Sequence, residues 1–237
     1  MSKKKIISLC LVVCLLATAI GGTLAYFTDT DEIANTMTLG NVTIDQHEYQ
    51  RDANGTLVDF TQDKMLVPAV GEKATTPVDY TDNIYTMKNV QDKFVRVENT
   101  GNVDAYIRTL IAIECNLTSD EPNFGTNKVA TEVKHDCLLD LVTINGATYY
   151  IHETVYLNKV APGEFTPMSL EQIWLASDAT NEEAAGLDVN GNGALDVLVL
   201  SQAVQADGFD NAQTALDTAF GDLTAAKAQK WFASIAP

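Results

Sequence analysis

One segment of the chain has oxygen-bearing side chains at the spacing that calcium-binding loops use. In DVNGNGALD (188–196), carboxylates or amides stand at positions 1, 3, 5 and 9, and glycine stands at position 6. A complete EF-hand-type loop also needs a bidentate carboxylate at position 12, which here is Val199. The pattern leaves two interpretations open. Either an open, weak calcium site is formed by Asp188, Asn190, Asn192 and Asp196, or the segment is a polar turn that joins two strands.

The histidines do not follow a metal-ligand pattern. A zinc-peptidase helix needs two histidines four residues apart with a glutamate beside the first. In HETVY (152–156), Tyr156 stands where the second histidine is needed, and the surrounding residues are typical of a strand. His47 and His135 have no ligand spacing, and no nucleophile elbow, phosphate-binding loop or dinucleotide fingerprint occurs. These observations predict that the chain is not an enzyme. They assign it no cofactor, apart from the candidate calcium ion of the 188–196 loop.

Two of the four cysteines lie outside the apolar N-terminal segment. Cys115 and Cys137 would close a loop of about 20 residues, and a disulfide of that size stabilises a fold by ~3 kcal/mol when it is unstrained. An even number of cysteines in an exported chain makes such a bond a reasonable expectation. The alternative is a pair of buried thiols.

The first residues have the three parts of a secretory signal peptide. Lys3, Lys4 and Lys5 form a basic region, residues 6–20 are almost unbroken apolar, and TLA (23–25) has small residues at the positions that signal peptidases read. The apolar run is shorter than the roughly 20 residues that span a bilayer. The sequence therefore predicts cleavage between Ala25 and Tyr26, export of residues 26–237, and contact with the membrane only during export.

The charge of the chain is strongly acidic. It has 15 basic and 32 acidic residues, and without the three leader lysines the net charge is −20. This balance repels nucleic acid and anionic membranes and favours solubility or association with cations. Nucleic acid is thus excluded as a partner.

The turn signals and the apolar–polar alternation in residues 26–237 predict one domain that is mainly β. Asn145 and Gly146 supply the positive φ angles of a type I′ turn between two apolar runs, which is a strong hairpin signal. The stretch 104–114 alternates apolar and polar residues, which predicts a strand buried on one face only. The strands expected on these grounds are 37–44 with a bulge at Gly40, 94–98, 104–114, 141–144, 147–151, 155–160, 172–175 and 196–206.

The end of the chain changes to a helical period. One stripe is formed by Ala212, Ala215, Leu216, Ala219 and Phe220, and Thr224 can cap a second short helix. About eight short strands followed by helices favour an antiparallel, jelly-roll-like β-sandwich with short helical additions.

Four segments carry a family resemblance. The leader GGTLAYFTD (21–29) resembles the export signal of the TasA and camelysin family, whose members depend on the dedicated signal peptidase SipW. Three later segments are similar to strands of the same family: NTMTLGNV (35–42), VRVENTGNVDAYIR (95–108) and AVQADGF (203–209).

The resemblance implies a secreted jelly-roll protein of the biofilm matrix or cell surface that assembles with other copies of itself into fibres. It implies that an N-terminal arm leaves its own domain and completes a neighbour's sheet. The arm would carry Phe27, Met37, Leu39, Val42 and Ile44. Two other functions stay open: a surface binding module or adhesin that does not polymerise, and a secreted camelysin-like metallopeptidase, which the missing second histidine disfavours.

Overall fold

A computed structural model gives the architecture of the chain. It describes residues 28–31, 42–62, 66–68, 70, 88–115, 124–127, 133–175 and 179–237. For residues 28–31, 124–127, 133–140 and 183 the description covers the backbone alone. The predicted signal peptide and its cleavage site lie outside the described residues.

The described residues form two antiparallel sheets and three helices. In chain order the strands are β1 (Thr28–Asp31), β2 (Ile44–Arg51), β3 (Leu57–Asp59), β4 (Gln91–Asn99), β5 (Ala105–Glu114), β6 (Phe124–Asn127), β7 (Val133–Ile144), β8 (Ala147–Tyr156), β9 (Leu170–Leu175) and β10 (Val197–Gln205). Sheet 1 has the order β1-β10-β5-β8-β7, and sheet 2 has the order β3-β2-β4-β9-β6. The prediction of a mainly β, antiparallel chain is confirmed.

The core lies between the two sheets. Alternate residues of each strand point to the same face, so β5 sends Ile107 and Ile111 inward while β4 sends Val95 and Val97 toward them. All four of these side chains are buried. This contact makes the arrangement sandwich-like.

The three helices are α1 (Asn181–Ala185), α2 (Ala212–Ala219) and α3 (Ala225–Phe232). Helix α2 covers Tyr106, Val155 and Val204 on the outer face of sheet 1. Helix α3 covers a second apolar group on the same face, formed by Leu110, Ala112, Val142, Ile144, Ala147, Tyr149, Ile151 and Leu200. No helix among the described residues has the length and apolarity to cross a bilayer.

The helical cover corrects one prediction about β5. Its alternating pattern predicts one buried face, yet all ten residues of β5 are buried. The inner residues contact sheet 2, and the outer ones, including Tyr106 and Arg108, lie under the helices. The apolar–polar alternation of β5 gave the wrong burial for its outer face, because the helices that cover this face lie about 100 residues further along the chain.

Several element boundaries also differ from the predictions. The expected strand 155–160 does not exist as a unit, because β8 runs on to Tyr156 and Val160 makes only an isolated bridge to Ala105. The strand expected at 37–44 is described only from Val42 onward, and β2 begins at Ile44. The short strands β3 and β6 were missed, since three or four residues give too little period to detect.

The start of α3, by contrast, has the predicted Thr224 cap, and the start of α2 has an Asn211 cap that was not predicted. Asn211 accepts a hydrogen bond from the Thr214 amide at 2.9 Å, and Thr224 accepts one from Lys227 at 3.3 Å. Each bond satisfies an amide that has no partner within its helix. The predicted stripe of α2 is confirmed, with Ala212, Ala215 and Leu216 buried.

The turn between β7 and β8 gives a first prediction. Asn145 and Gly146 have φ angles of 49° and 96°, as a type I′ turn requires. No heavy atom outside the neighbouring residues lies within 4 Å of the site of a Gly146 Cβ, so a methyl group meets backbone strain and no clash. We therefore expect Gly146→Ala to lower the free energy of unfolding by about 1–2 kcal/mol in urea titrations. Gly146→Asn is the control, because asparagine tolerates a positive φ angle better than alanine and should cost less stability. Equal stability of Gly146→Ala and the natural protein would contradict the assignment.

Candidate functional site

A short strand from the N-terminal part of the chain covers part of the edge of sheet 1. Strand β1 pairs antiparallel with β10, from Thr28 opposite Val204 to Asp31 opposite Ser201. This pairing covers four of the nine residues of β10. On that side, Val197–Leu200 have no strand partner among the described residues. Among the described residues, this side of Val197–Leu200 is therefore an open strand edge, which is the arrangement that accepts a further strand.

A groove of about 670 Å³ lies beside this open edge of β10. Its walls come from both sheets, with Ile173 and Leu175 of β9 facing Val197 and Val199 of β10. Further lining residues are Phe60, Leu66, Leu187 and Leu195. The groove is therefore mainly apolar and continuous with the core.

Polar side chains bridge the two sheets where the groove ends. The Ser201 hydroxyl donates to the Gln46 side-chain oxygen at 2.8 Å, and the Gln46 amide donates to Glu48 at 3.2 Å. Glu48 also pairs with Lys93, and both line the groove. Since Ser201 is opposite Asp31, this bridge stands where the β1 pairing stops.

The structure describes two of the five residues predicted for an exchanging arm. Val42 and Ile44 are 1% and 3% exposed and lie in the core of their own chain beside Val97 and Ile107. Phe27, Met37 and Leu39 lie outside the described residues. An arm that exchanges must therefore turn away from its domain before Val42.

The four predicted calcium ligands lie together on the loop between α1 and β10. The Asp196 carboxylate accepts hydrogen bonds from the Asn190 and Asn192 amides at 2.7 and 3.1 Å. Asp188 accepts the Gly193 N–H at 3.0 Å. Val199 points into the core and is 3% exposed, so the twelfth position contributes no oxygen. The four side chains thus lie together as predicted, and the ligand position that a twelfth-residue carboxylate would fill has no oxygen from Val199.

Glu114 holds this loop from below, and sequence reasoning missed it. Its side chain is 0% exposed and accepts N–H groups from Val189, Asn190 and Asp196 at 2.8, 2.9 and 3.1 Å. Burial raises the pKa of the Glu114 carboxyl, and the charge of Asp196 adds to the rise, while the three N–H donors oppose it. No local pattern links Glu114 to a loop about 75 residues away.

Tyr149 is a second missed residue. It lies opposite Glu114 in the β5–β8 register, and its ring is 0% exposed. Burial raises the pKa of the Tyr149 hydroxyl to about 12, and the charges of Glu114 and Asp196 contribute to the rise. The buried phenol and the buried Glu114 carboxyl are thus neighbours on the same face of sheet 1.

The remaining predicted chemistry is not brought together. His152 and Glu153 are neighbours on strand β8 and point to opposite faces, and Glu153 pairs with Arg108 at 2.9 Å. Two histidines of a zinc-peptidase motif would have to share one helix face. Within the described ranges, no three His, Cys, Asp or Glu side chains gather as a metal cluster.

The register does not place the two predicted disulfide partners within reach. Cys137 on β7 is level with Glu153 of β8, whereas the Cys115 N–H bonds to the Thr148 carbonyl. Five residues along a strand span roughly 17 Å. Disulfides join Cα atoms about 4.4–6.8 Å apart.

Comparison with known proteins adds no assignment to these observations. No family model, no curated protein and no solved structure matches this chain.

Proposed function

We propose that this protein is an exported structural protein of the cell surface or extracellular matrix, and that its copies assemble into fibres by exchange of the N-terminal strand. The proposal rests on Val197–Leu200 of β10, which have no strand partner on the β1 side among the described residues. A second copy can extend the sheet there without breaking any pairing of β10 with β5.

The strand order supports a jelly-roll interpretation. Among the described strands, the chain passes from one sheet to the other six times: between β1 and β2, β4 and β5, β5 and β6, β6 and β7, β8 and β9, and β9 and β10. Such crossings place β10 beside β1 and β5, with the first and last strands of the sandwich as neighbours. A jelly roll is built from crossings of this kind.

The composition of β1 supports exchange. Its four residues are Thr28, Asp29, Thr30 and Asp31, which include no apolar side chain. The pairing with β10 therefore depends on main-chain hydrogen bonds, and each contributes only about 0.5–1.5 kcal/mol net. A strand from another copy offers the same main-chain bonds. The apolar groove beside Val197–Leu200 provides additional contact area for it.

The prediction for strand exchange is a change in disulfide connectivity. Asp29 and Ala203 are directly opposite in the β1–β10 register. Opposed residues of antiparallel strands have Cα atoms about 4.5–5.5 Å apart, which suits a disulfide. We expect the Asp29→Cys/Ala203→Cys protein to form an internal bond when oxidised as a monomer. Oxidised after assembly, it should give a ladder of covalent multimers on a denaturing, non-reducing gel.

The single variant Ala203→Cys is the control, since it keeps Cys115 and Cys137 but lacks a partner on β1. A protein that shows fibres by electron microscopy yet only internal bonds would disprove exchange of β1. Monodisperse monomers at high concentration over days would disprove assembly itself. Deletion of residues 26–35 should abolish fibres and leave the circular dichroism spectrum of the domain intact.

A further inference from the structure

The loop at 188–196 and the side chains beneath it concentrate negative charge without a cationic partner. Glu114 is fully buried, and no Lys, Arg or His of the described residues forms an ion pair with it. Asp196 is a second acidic residue beside Glu114, since its own N–H donates to the Glu114 carboxylate at 3.1 Å. Backbone N–H groups hold Glu114 in place, but they supply only partial positive charge.

Two buried polar atoms at this place have no hydrogen-bond partner among the described residues. One is Oδ1 of Asp188, whose other oxygen accepts the Gly193 N–H. The second is the hydroxyl of Tyr149, a side chain with 0% exposure. A buried polar atom without a partner is costly, and native proteins satisfy most such atoms with protein, water or an ion. A hydrated cation held by the loop would give the Asp188 oxygen a metal to bind and the Tyr149 hydroxyl, which lies opposite Glu114 in the register, a water to bind.

We propose that the Asp188–Asp196 loop binds one hydrated calcium ion, with Asp188, Asn190, Asn192 and Asp196 as its side-chain ligands. The Asn190 and Asn192 amides already converge on one oxygen of Asp196. The oxygens of these two amides accept the N–H groups of Asn192 and Ala194 at 3.0 and 2.8 Å, so ion binding requires the side chains to rotate and exchange these bonds for ligation. The Tyr149 hydroxyl donates to a coordinated water, and Glu114 supplies further negative charge below.

The ligand chemistry favours calcium. All the donors are oxygen atoms, which suit hard cations, and an exposed loop leaves room for waters to complete the 6–8 irregular ligands that calcium takes. Magnesium demands a near-ideal octahedron and gives up its waters reluctantly. Because Val199 provides no twelfth-position carboxylate, the expected Kd is about 10⁻⁴–10⁻³ M, as in extracellular calcium modules. Because Asp188 and Asp196 also line the groove beside β10, calcium binding is measured on the monomer, separately from fibre assembly.

Calorimetric titration of the purified protein with calcium chloride tests the proposal. We expect one site per chain, and a rise in Tm of about 3–10 °C at 10 mM calcium, which follows from saturation of a site of this affinity. Asp188→Asn should raise the Kd at least tenfold. Asn192→Ala, at an exposed position of the loop, should weaken binding as well and provides a second variant.

The matched control is Asp207→Asn, which removes an exposed carboxylate just beyond the other end of β10. It should bind calcium within twofold of the natural protein. Absence of heat up to 10 mM calcium would overturn the proposal. So would an equal Tm rise in Asp188→Asn, or the same rise with sodium chloride at matched ionic strength, because both indicate general screening of an acidic protein.

Discussion

Replacing Arg108 by methionine is expected to lower the free energy of unfolding by about 3–5 kcal/mol. Arg108 is 0% exposed, and its guanidinium donates to Glu153 at 2.9 Å and to Gln202 at 2.8 Å. Methionine fills a similar space but leaves the Glu153 carboxylate, which is 4% exposed, without its cation. An unpaired buried charge costs far more than the pair itself contributes.

The position of Arg108 explains why its replacement should lower the stability of the whole domain. The guanidinium also donates to the Gly221 carbonyl at 3.3 Å and lies 5.5 Å from the Phe220 ring and 5.2 Å from the Trp231 ring. One side chain of β5 thus connects both C-terminal helices to the centre of sheet 1. Loss of Arg108 therefore weakens both the packing of α2 and α3 on sheet 1 and the sheet itself.

Urea unfolding followed by circular dichroism measures the effect. Lys159→Met is the control, because Lys159 is exposed and its replacement should change stability by less than about 0.5 kcal/mol. The double variant Arg108→Met/Glu153→Leu removes both charges and should recover most of the loss. If the double variant is no more stable than Arg108→Met, loss of the Arg108–Glu153 ion pair is not the cause.

Replacing Phe232 by alanine is expected to have the second large effect, lowering the free energy of unfolding by about 3–5 kcal/mol. Phe232 is 0% exposed at the end of α3 and packs with Leu223 and Ala228 of the cover against Ile144 and Tyr149 of sheet 1. Truncation removes the apolar contacts of a large ring and leaves a cavity that a short helix cannot close fully.

The same unfolding measurement, with Lys230→Ala as the matched variant on α3, checks this prediction. Lys230 is exposed, so its replacement should be nearly neutral. The tail is also tied to the β7–β8 turn, where the Asn145 amide donates to the carbonyls of Ala233 and Ala236. A Phe232→Ala protein that unfolds like the Lys230→Ala protein would show that α3 is only loosely attached to the domain.

Elements with a strong local signal were predictable from the sequence. The hairpin follows from Asn145 and Gly146, which tolerate the positive φ angles that the turn imposes. The start of α3 follows from Thr224, whose side chain satisfies an amide within three residues. The four oxygen-bearing residues of the loop were also identified, because they stand within nine consecutive positions.

Features that join distant parts of the chain were decided only by the tertiary structure. The partners of Glu114 and Arg108 lie about 45 to 113 positions away, and the strand that pairs with part of β10 comes from the opposite end of the chain. Periodicity and capping act over a few residues, so the sequence by itself determined the strands, turns and caps. Which faces are covered, and which charge lies beneath which loop, depends on how those elements meet, because burial and ion pairing are set by contacts in space.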